Sequence, residues 1–231
     1  MEFNTEKYHL KSSSFFDCLS PSEEASVKEY LVRKEFKKGQ ILFKEGSYSK
    51  GVFIVKKGKI KIYQTNGEGK ENIVYLYKKG DYFGYRPLLG DEPHPVSAAA
   101  VDNVVVSFIP SDVFTHVLEK SNLLAKRLLT NLSKEFSVWI NKLSSFATCS
   151  VKERIAISLL IFEKIYQIEN SKHKHTIISI NRNDFASFVG TAKENLVRIL
   201  RVFKDEKIIS SKGTNIIILK PQALKELLRG I

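Results

Sequence analysis

The sequence predicts an α+β protein in three consecutive parts: a body of short strands, one long helix, and a basic helix-turn-helix with a wing. Three observations carry this. Between about Phe36 and Ile109, runs rich in Val, Ile, Phe and Tyr alternate with glycines. From Asn122 to about Ala147 there is neither Gly nor Pro. Residues 151–231 hold 15 Lys/Arg against 8 Asp/Glu and contain two short helical patterns joined at Val189–Gly190.

The strand runs are Gln40–Lys44, Gly51–Lys56, Lys59–Gln64, Asn72–Tyr77 and Val104–Ile109. Short strands at such spacing imply a sandwich or barrel. Ser111 can cap a short helix to about Lys120, and Ser121 a second one. In that second helix Ala125, Leu128, Leu132, Trp139, Leu143 and Phe146 recur at near-heptad spacing, with Phe136 close to register. Such a seam suits a coiled-coil contact. A helix of about 26 residues spans roughly 39 Å. It has little to pack against except a second copy of itself, the alternative being a core helix lying across its own domain. Leu128, Leu132, Phe136, Trp139 and Leu143 are therefore the expected dimer contacts.

Ser150-Val-Lys-Glu153 reads as a capping box opening a helix to about Gln167. Glu169 to His175 reads as a polar loop. Asn181 caps a helix Arg182–Phe188, and Thr191-Ala-Lys-Glu194 reads as a second capping box opening a helix to about Asp205. Strands Lys207–Ser210 and Ile216–Lys220 then form the wing. The expected division is 1–120, 121–148 and 149–231.

In the helix from Thr191, Ala192, Leu196, Ile199, Leu200 and Phe203 share one face, expected to pack on Phe185 and Val189. Lys193, Glu194, Val197, Arg198 and Arg201 share the other. Such a helix, anchored on its apolar side, presents its second face to a major groove. Arg bonds guanine bidentately, Glu accepts from the cytosine amine, and Val touches a thymine methyl. Lys193, Glu194, Val197 and Arg198 are thus candidate base contacts. Arg182, Thr191, Arg201, Lys212 and Gly213 are candidate backbone contacts, which set register rather than sequence. The plainer alternative is that Glu194 only caps the helix or pairs with Arg198 four residues on.

The net charge of +12 is concentrated where these residues lie: residues 1–150 carry 22 Lys/Arg against 17 Asp/Glu. A basic C-terminal part implies a polyanionic partner, here double-stranded DNA. No run approaches the roughly 18 apolar residues of a membrane span. The N-terminal residues lack a signal-peptide pattern, so the cytoplasm is expected. Cys18 and Cys149 are far apart, which argues against disulfides and against a CxxC metal site. No GxSxG, P-loop, HExxH or Cys–His signature is present, so no enzyme is expected.

The chain resembles the Crp/Fnr family of regulators. Lys38-Gly-Gln-Ile-Leu-Phe-Lys-Glu-Gly46, Gly51-Val-Phe-Ile-Val55, Gly58-Lys-Ile-Lys-Ile-Tyr63 and Gly80-Asp-Tyr-Phe-Gly84 match its cyclic-nucleotide-binding-type β-roll. Val189-Gly-Thr-Ala-Lys-Glu-Asn-Leu-Val-Arg198 matches its recognition helix. The resemblance implies an N-terminal β-roll (a double-stranded β-helix), a long dimerisation helix and a C-terminal winged helix-turn-helix. It also implies a homodimer on an inverted-repeat operator, acting on RNA polymerase. Polymerase contacts are expected on exposed loops such as 168–176.

The departures from that family concern the effector. Cyclic-AMP receptors follow the roll's Phe-Gly with a Glu for the ribose and carry an Arg-Ser pair for the phosphate. Here those positions read Tyr85, His94 and Pro95, and the helix positions meeting adenine read Trp139 and Ile140. A buried phosphate requires a cation or convergent donors. Cyclic AMP is therefore not expected to bind, and no cofactor or metal is identified. His94, a lone histidine beside two prolines, reads as a surface loop residue rather than a haem ligand. An effector, if the roll takes one, is expected near Tyr85, Arg86, His94, Ser97 and Trp139. A constitutive DNA-binding regulator and a ligand-gated interaction module remain the other two readings.

Overall fold

A computed structural model describes residues 3–10, 13–167 and 175–229. The expected polar loop 169–175 and the expected polymerase-contact loop 168–176 lie largely outside them. Two short 3₁₀ turns, Thr5–Tyr8 and Phe15–Cys18, precede helix α1 (Pro21–Glu29). Strands β1 (Val32–Phe36), β2 (Ile41–Phe43), β3 (Gly51–Lys57), β4 (Ile60–Thr65), β5 (Glu71–Tyr77) and β6 (Tyr82–Phe83) follow. After helix α2 (Arg86–Gly90) come β7 (Ser97–Ala100) and β8 (Val104–Pro110), then helices α3 (Ser111–Lys120), α4 (Asn122–Thr148) and α5 (Val151–Tyr166). The chain closes with β9 (Ile177–Ser179), α6 (Arg182–Val189), α7 (Lys193–Asp205), β10 (Ile209–Lys212), β11 (Asn215–Ile218) and α8 (Pro221–Glu226).

The strands β1 to β8 form two four-stranded sheets, ordered β1-β8-β3-β6 and β2-β7-β4-β5. The β3–β8 register, Gly51↔Pro110 through Val55↔Val106, sets Val52 and Ile54 into the core with Ile109, Phe114, Leu124 and Leu128. Only glycine fits at position 51: its φ is 151° and a Cβ would lie 2.0 Å from the Ile109 carbonyl oxygen. The chain divides into two compact bodies, one of residues 11–66 and 74–135, the other of residues 1–10, 67–73 and 136–231. Helix α4 is continuous across this division, which falls between Glu135 and Phe136.

The five expected strands are present, each within one or two residues of its bounds. Three more were not among them: β1, β7 and the two-residue β6. β1 reads Val-Arg-Lys-Glu-Phe, whose charges mask a half-exposed edge strand. β7 reads Ser-Ala-Ala-Ala, a helix-favouring composition. All four residues are buried between β2 and β4, where small side chains fit.

The caps explain the helix bounds. Ser150 and Glu153 form the expected capping box of α5. Ser121 Oγ accepts from Leu124 N in the first turn of α4. Ser111 does not cap α3: Pro110 holds the cap position and Ser111 is already helical. The first wing strand starts at Ile209 rather than Lys207, because the end of α7 takes Lys207 and Ile208. Ile208 N donates to Phe203 O and Lys207 N to Lys204 O, a Schellman closure. Lys207 sits in the left-handed region there, at φ 55°.

Candidate nucleic-acid interface

The reading helix is built from its caps outward. Asn181 Oδ1 accepts from Asp184 N at 2.8 Å and starts α6. Gly190, at φ 69°, ends it in the left-handed conformation that glycine adopts without strain. The chain then turns into α7. Phe162 of α5 packs on Phe185 and Phe188 of α6 with ring centroids 5.0 and 4.7 Å apart, so one aromatic cluster joins these two helices. Leu196, Ile199, Leu200 and Phe203 are buried on the inner face of α7.

Lys193, Glu194, Val197, Arg198 and Arg201 are all exposed on the opposite face. The expected capping box is absent. The cap residue is Ala192, with no side-chain bond, and α7 begins at Lys193. Ala192 itself is exposed rather than packed inward. Glu194 therefore falls at the second helical position, out of reach of the box geometry, which requires the third. No ion pair joins it to Arg198 among the described residues. Both side chains thus remain available to an incoming partner.

The wing is a tight hairpin with Lys212 opposite Asn215, and Gly213 at φ 58° makes the turn. Lys212 and Gly213 are exposed, and Thr191 is half-buried. Arg182 differs from its expected role. Its Nη2 donates to the Gly213 carbonyl at 3.0 Å, while Nη1 is buried without a partner. It braces the wing tip against the start of α6. Between α7 and the wing lies an open cleft of about 310 Å³, edged by Arg182, Val197, Arg201, Lys204 and Ser211.

In the roll, Tyr85 is 1% exposed and its hydroxyl donates to Glu135 Oε1 at 3.5 Å. Tyr77 does the same at 3.4 Å. His94 is not a surface residue: it is 4% exposed, with its ring stacked 3.8 Å from that of Phe43. Its backbone bonds to the turn at Gly46 and Ser47 explain why the two prolines do not push it outward. Burial lowers its pKa to about 4, so the ring is neutral at pH 7 and supplies no charge to a phosphate. Ser97 is buried and its Oγ accepts from Glu45 N at 2.9 Å. Tyr85 and Arg86 lie at the start of α2, His94 just before β7 and Ser97 at its first position. Trp139 is half-buried on α4 and groups with the C-terminal body. The sequence reading missed Glu135, whose position on the inward stripe of α4 marks it as a carboxylate where an apolar residue is expected.

On α4, Leu128 is 1% exposed in the roll's own core, so it is withdrawn from the expected seam. Leu132 packs partly against the same core. The outward stripe runs through Leu129, Phe136, Ile140 and Leu143 instead. Leu128 and Leu129 are equally apolar, and the roll's core takes Leu128 and leaves Leu129 outside; Trp139 is likewise half-buried beside the exposed Ile140.

Two family models match: a cyclic nucleotide-binding domain over residues 33–121 and a Crp-like helix-turn-helix domain over 153–227. The chain is 27% identical to the fumarate and nitrate reduction regulatory protein of Vibrio cholerae over 210 residues, covering 90% of this chain and 84% of that one. It is 25% identical to the transcriptional activator protein Anr of Pseudomonas protegens, covering 96% and 93%. Among solved structures, FixK2 of Bradyrhizobium japonicum superposes with a TM-score of 0.76 at 18% identity, covering 85% of this chain and 96% of that one.

Proposed function

Because the chain belongs to the Crp/Fnr family of DNA-binding transcription regulators, we propose that it reads an inverted-repeat operator through the exposed face of α7. Lys193, Glu194, Val197 and Arg198 meet base edges. Arg201, Thr191, Lys212 and Gly213 meet the backbone, and Arg182 positions the wing. One observation carries this reading: α7 buries its apolar side and leaves a charged side with no partner of its own among the described residues. The protein acts in the cytoplasm as a homodimer through α4, with RNA polymerase as its further partner. Residues 1–120 form the sensor, 121–148 the dimerisation helix and 149–231 the reader.

The direct test is a mobility shift on genomic fragments at two salt concentrations. A regulator making six or more phosphate contacts loses on the order of 10³-fold in affinity between about 50 and 200 mM salt. An interaction module that no longer reads DNA gives no shift at either concentration.

The roll is proposed to take no cyclic nucleotide. Tyr85, His94 and Ser97 are each buried and already bonded or stacked within the roll. Pro95 offers no donor. Calorimetry with cyclic AMP or cyclic GMP is expected to give no heat and no change in DNA affinity. A dissociation constant near ~10 µM, about −7 kcal/mol, contradicts this.

A further inference from the structure

Glu135 is 4% exposed, on the inward face of α4, at the last position before the helix leaves the roll's body. Titratable and polar groups from several elements face it. Tyr77 comes from β5, Asp81 from the turn before β6, Tyr82 from β6, and Tyr85 and Arg86 from the start of α2. Asn131, one turn earlier on α4, bonds the Tyr82 hydroxyl. The two phenols at Glu135 both address Oε1, at 3.4 and 3.5 Å, longer than good bonds to an ionised carboxylate. Oε2 is buried with no partner. An ionised carboxylate left half satisfied in such a place is strongly disfavoured, whereas the neutral acid is tolerated.

We infer that Glu135 is a proton-operated catch in the roll: neutral, it lets α4 lie against Tyr77 and Tyr85. Once ionised, it drives that turn of helix out of the core and weakens DNA binding. The inference rests on the DNA-reading function proposed above and assigns its regulation. The direction follows from the helix. Docked, α4 runs unbroken from Asn122 to Thr148 and carries one outward apolar stripe, which continues from Leu129 to Phe136 past the catch. Displacing the turn at Glu135 interrupts the stripe that the dimer uses. A proton requires no cavity, and the buried Tyr85, His94 and Ser97 leave their own positions filled.

Burial raises the Glu135 pKa to about 7, with Asp81 adding to the rise and Arg86, Tyr77 and Tyr85 opposing it. The docked form thus holds the proton more tightly than a free carboxyl. Its extra stability is complete below the ordinary carboxyl value near ~4.5 and is lost as pH rises through about 7.

The only tryptophan of the chain, Trp139, sits one turn beyond Glu135 on the same helix and reports on it without DNA. Intrinsic fluorescence of the full-length protein is expected to step once near neutral pH. In Glu135→Gln the step disappears and the signal stays at its acid level. In Tyr85→Phe, which removes a donor to the carboxylate, the step moves to higher pH. Lys142, which burial lowers to about 7, is the competing group, so Lys142→Met must leave the step in place. Affinity for selected operator DNA, measured by anisotropy at fixed ionic strength, should fall about tenfold from about pH 6 to about pH 8, as one pKa unit of coupling requires. Glu135→Gln should show no such fall. A step that persists in Glu135→Gln, or one pH profile of affinity shared by both proteins, overturns the catch. If neither protein binds DNA at any pH while the fluorescence step is intact, the DNA reading itself fails and the gating fails with it.

Discussion

Replacing Phe136 and Leu143 together with glutamate converts the protein to monomers at micromolar concentration. The two side chains are 63% and 68% exposed on α4, so neither contributes to its own chain's core. With Leu129 and Ile140 they repeat at seven, four and three residues, the spacing of a helix seam that meets its own copy. Two helices in a symmetric pair bring the substituted positions together at the axis. Unpaired buried charge costs about 3–5 kcal/mol, enough to shift a micromolar dimer to monomer. Folding should survive, because the substituted faces are exposed in the single chain. Light scattering checks this: the wild type should run at twice the chain mass of 26.3 kDa and the variant at that mass. A wild-type monomer, or a variant that stays dimeric, refutes the seam. Leu132 makes a poorer probe because it also packs on the roll, so its loss would confuse stability with assembly.

Arg198→Ala weakens operator binding by about 1–3 kcal/mol for each good base contact. A dimer carries two such arginines, so the expected loss reaches several kcal/mol, or a hundredfold and more. The guanidinium is exposed, not paired with Glu194, and sits one turn from the helix start, where recognition helices meet bases. Its fork matches the two acceptors of guanine. Selectivity should relax at one position of each half-site while other positions keep theirs. Lys212→Ala, at the wing, should instead weaken all sequences alike and lower the salt dependence by about one contact. Titrations of wild type and both variants against operator and scrambled duplex separate the two behaviours.

Much of this architecture is legible from local signals. The glycine-punctuated runs of β-branched and aromatic residues mark the sheets, and the cap at Asn181 with Gly190 marks α6. The inner face of α7 from Leu196 to Phe203 follows from its period, though not Ala192, which caps the helix and is exposed. What was not legible depends on tertiary context. Ser-Ala-Ala-Ala becomes a strand only because neighbouring strands leave space for small side chains. Thr191 and Glu194 have capping-box spacing, yet the turn after Gly190 delays the helix to Lys193. His94 looks exposed between prolines, and only the Phe43 ring and the Gly46–Ser47 turn bury it. Of the expected seam on α4, Phe136 and Leu143 face outward, whereas Leu128 and Leu132 pack on the roll and Trp139 is half-buried; Leu128 and Leu129 are equally apolar and only the roll decides which faces inward. Glu135 gave a faint signal, a carboxylate on an otherwise inward stripe, whose meaning depends on three tyrosines distant in sequence.

The central claim is that the exposed face of α7 reads DNA in a symmetric dimer, and selection of binding sites from random double-stranded DNA tests it most directly. Wild type should select an inverted repeat with half-site centres about 10–10.5 bp apart, one turn of the duplex. Arg198→Ala should select the same spacing with one base position per half-site lost. Selection of no motif by the wild type, or of the same motif at the same strength by both proteins, contradicts the account.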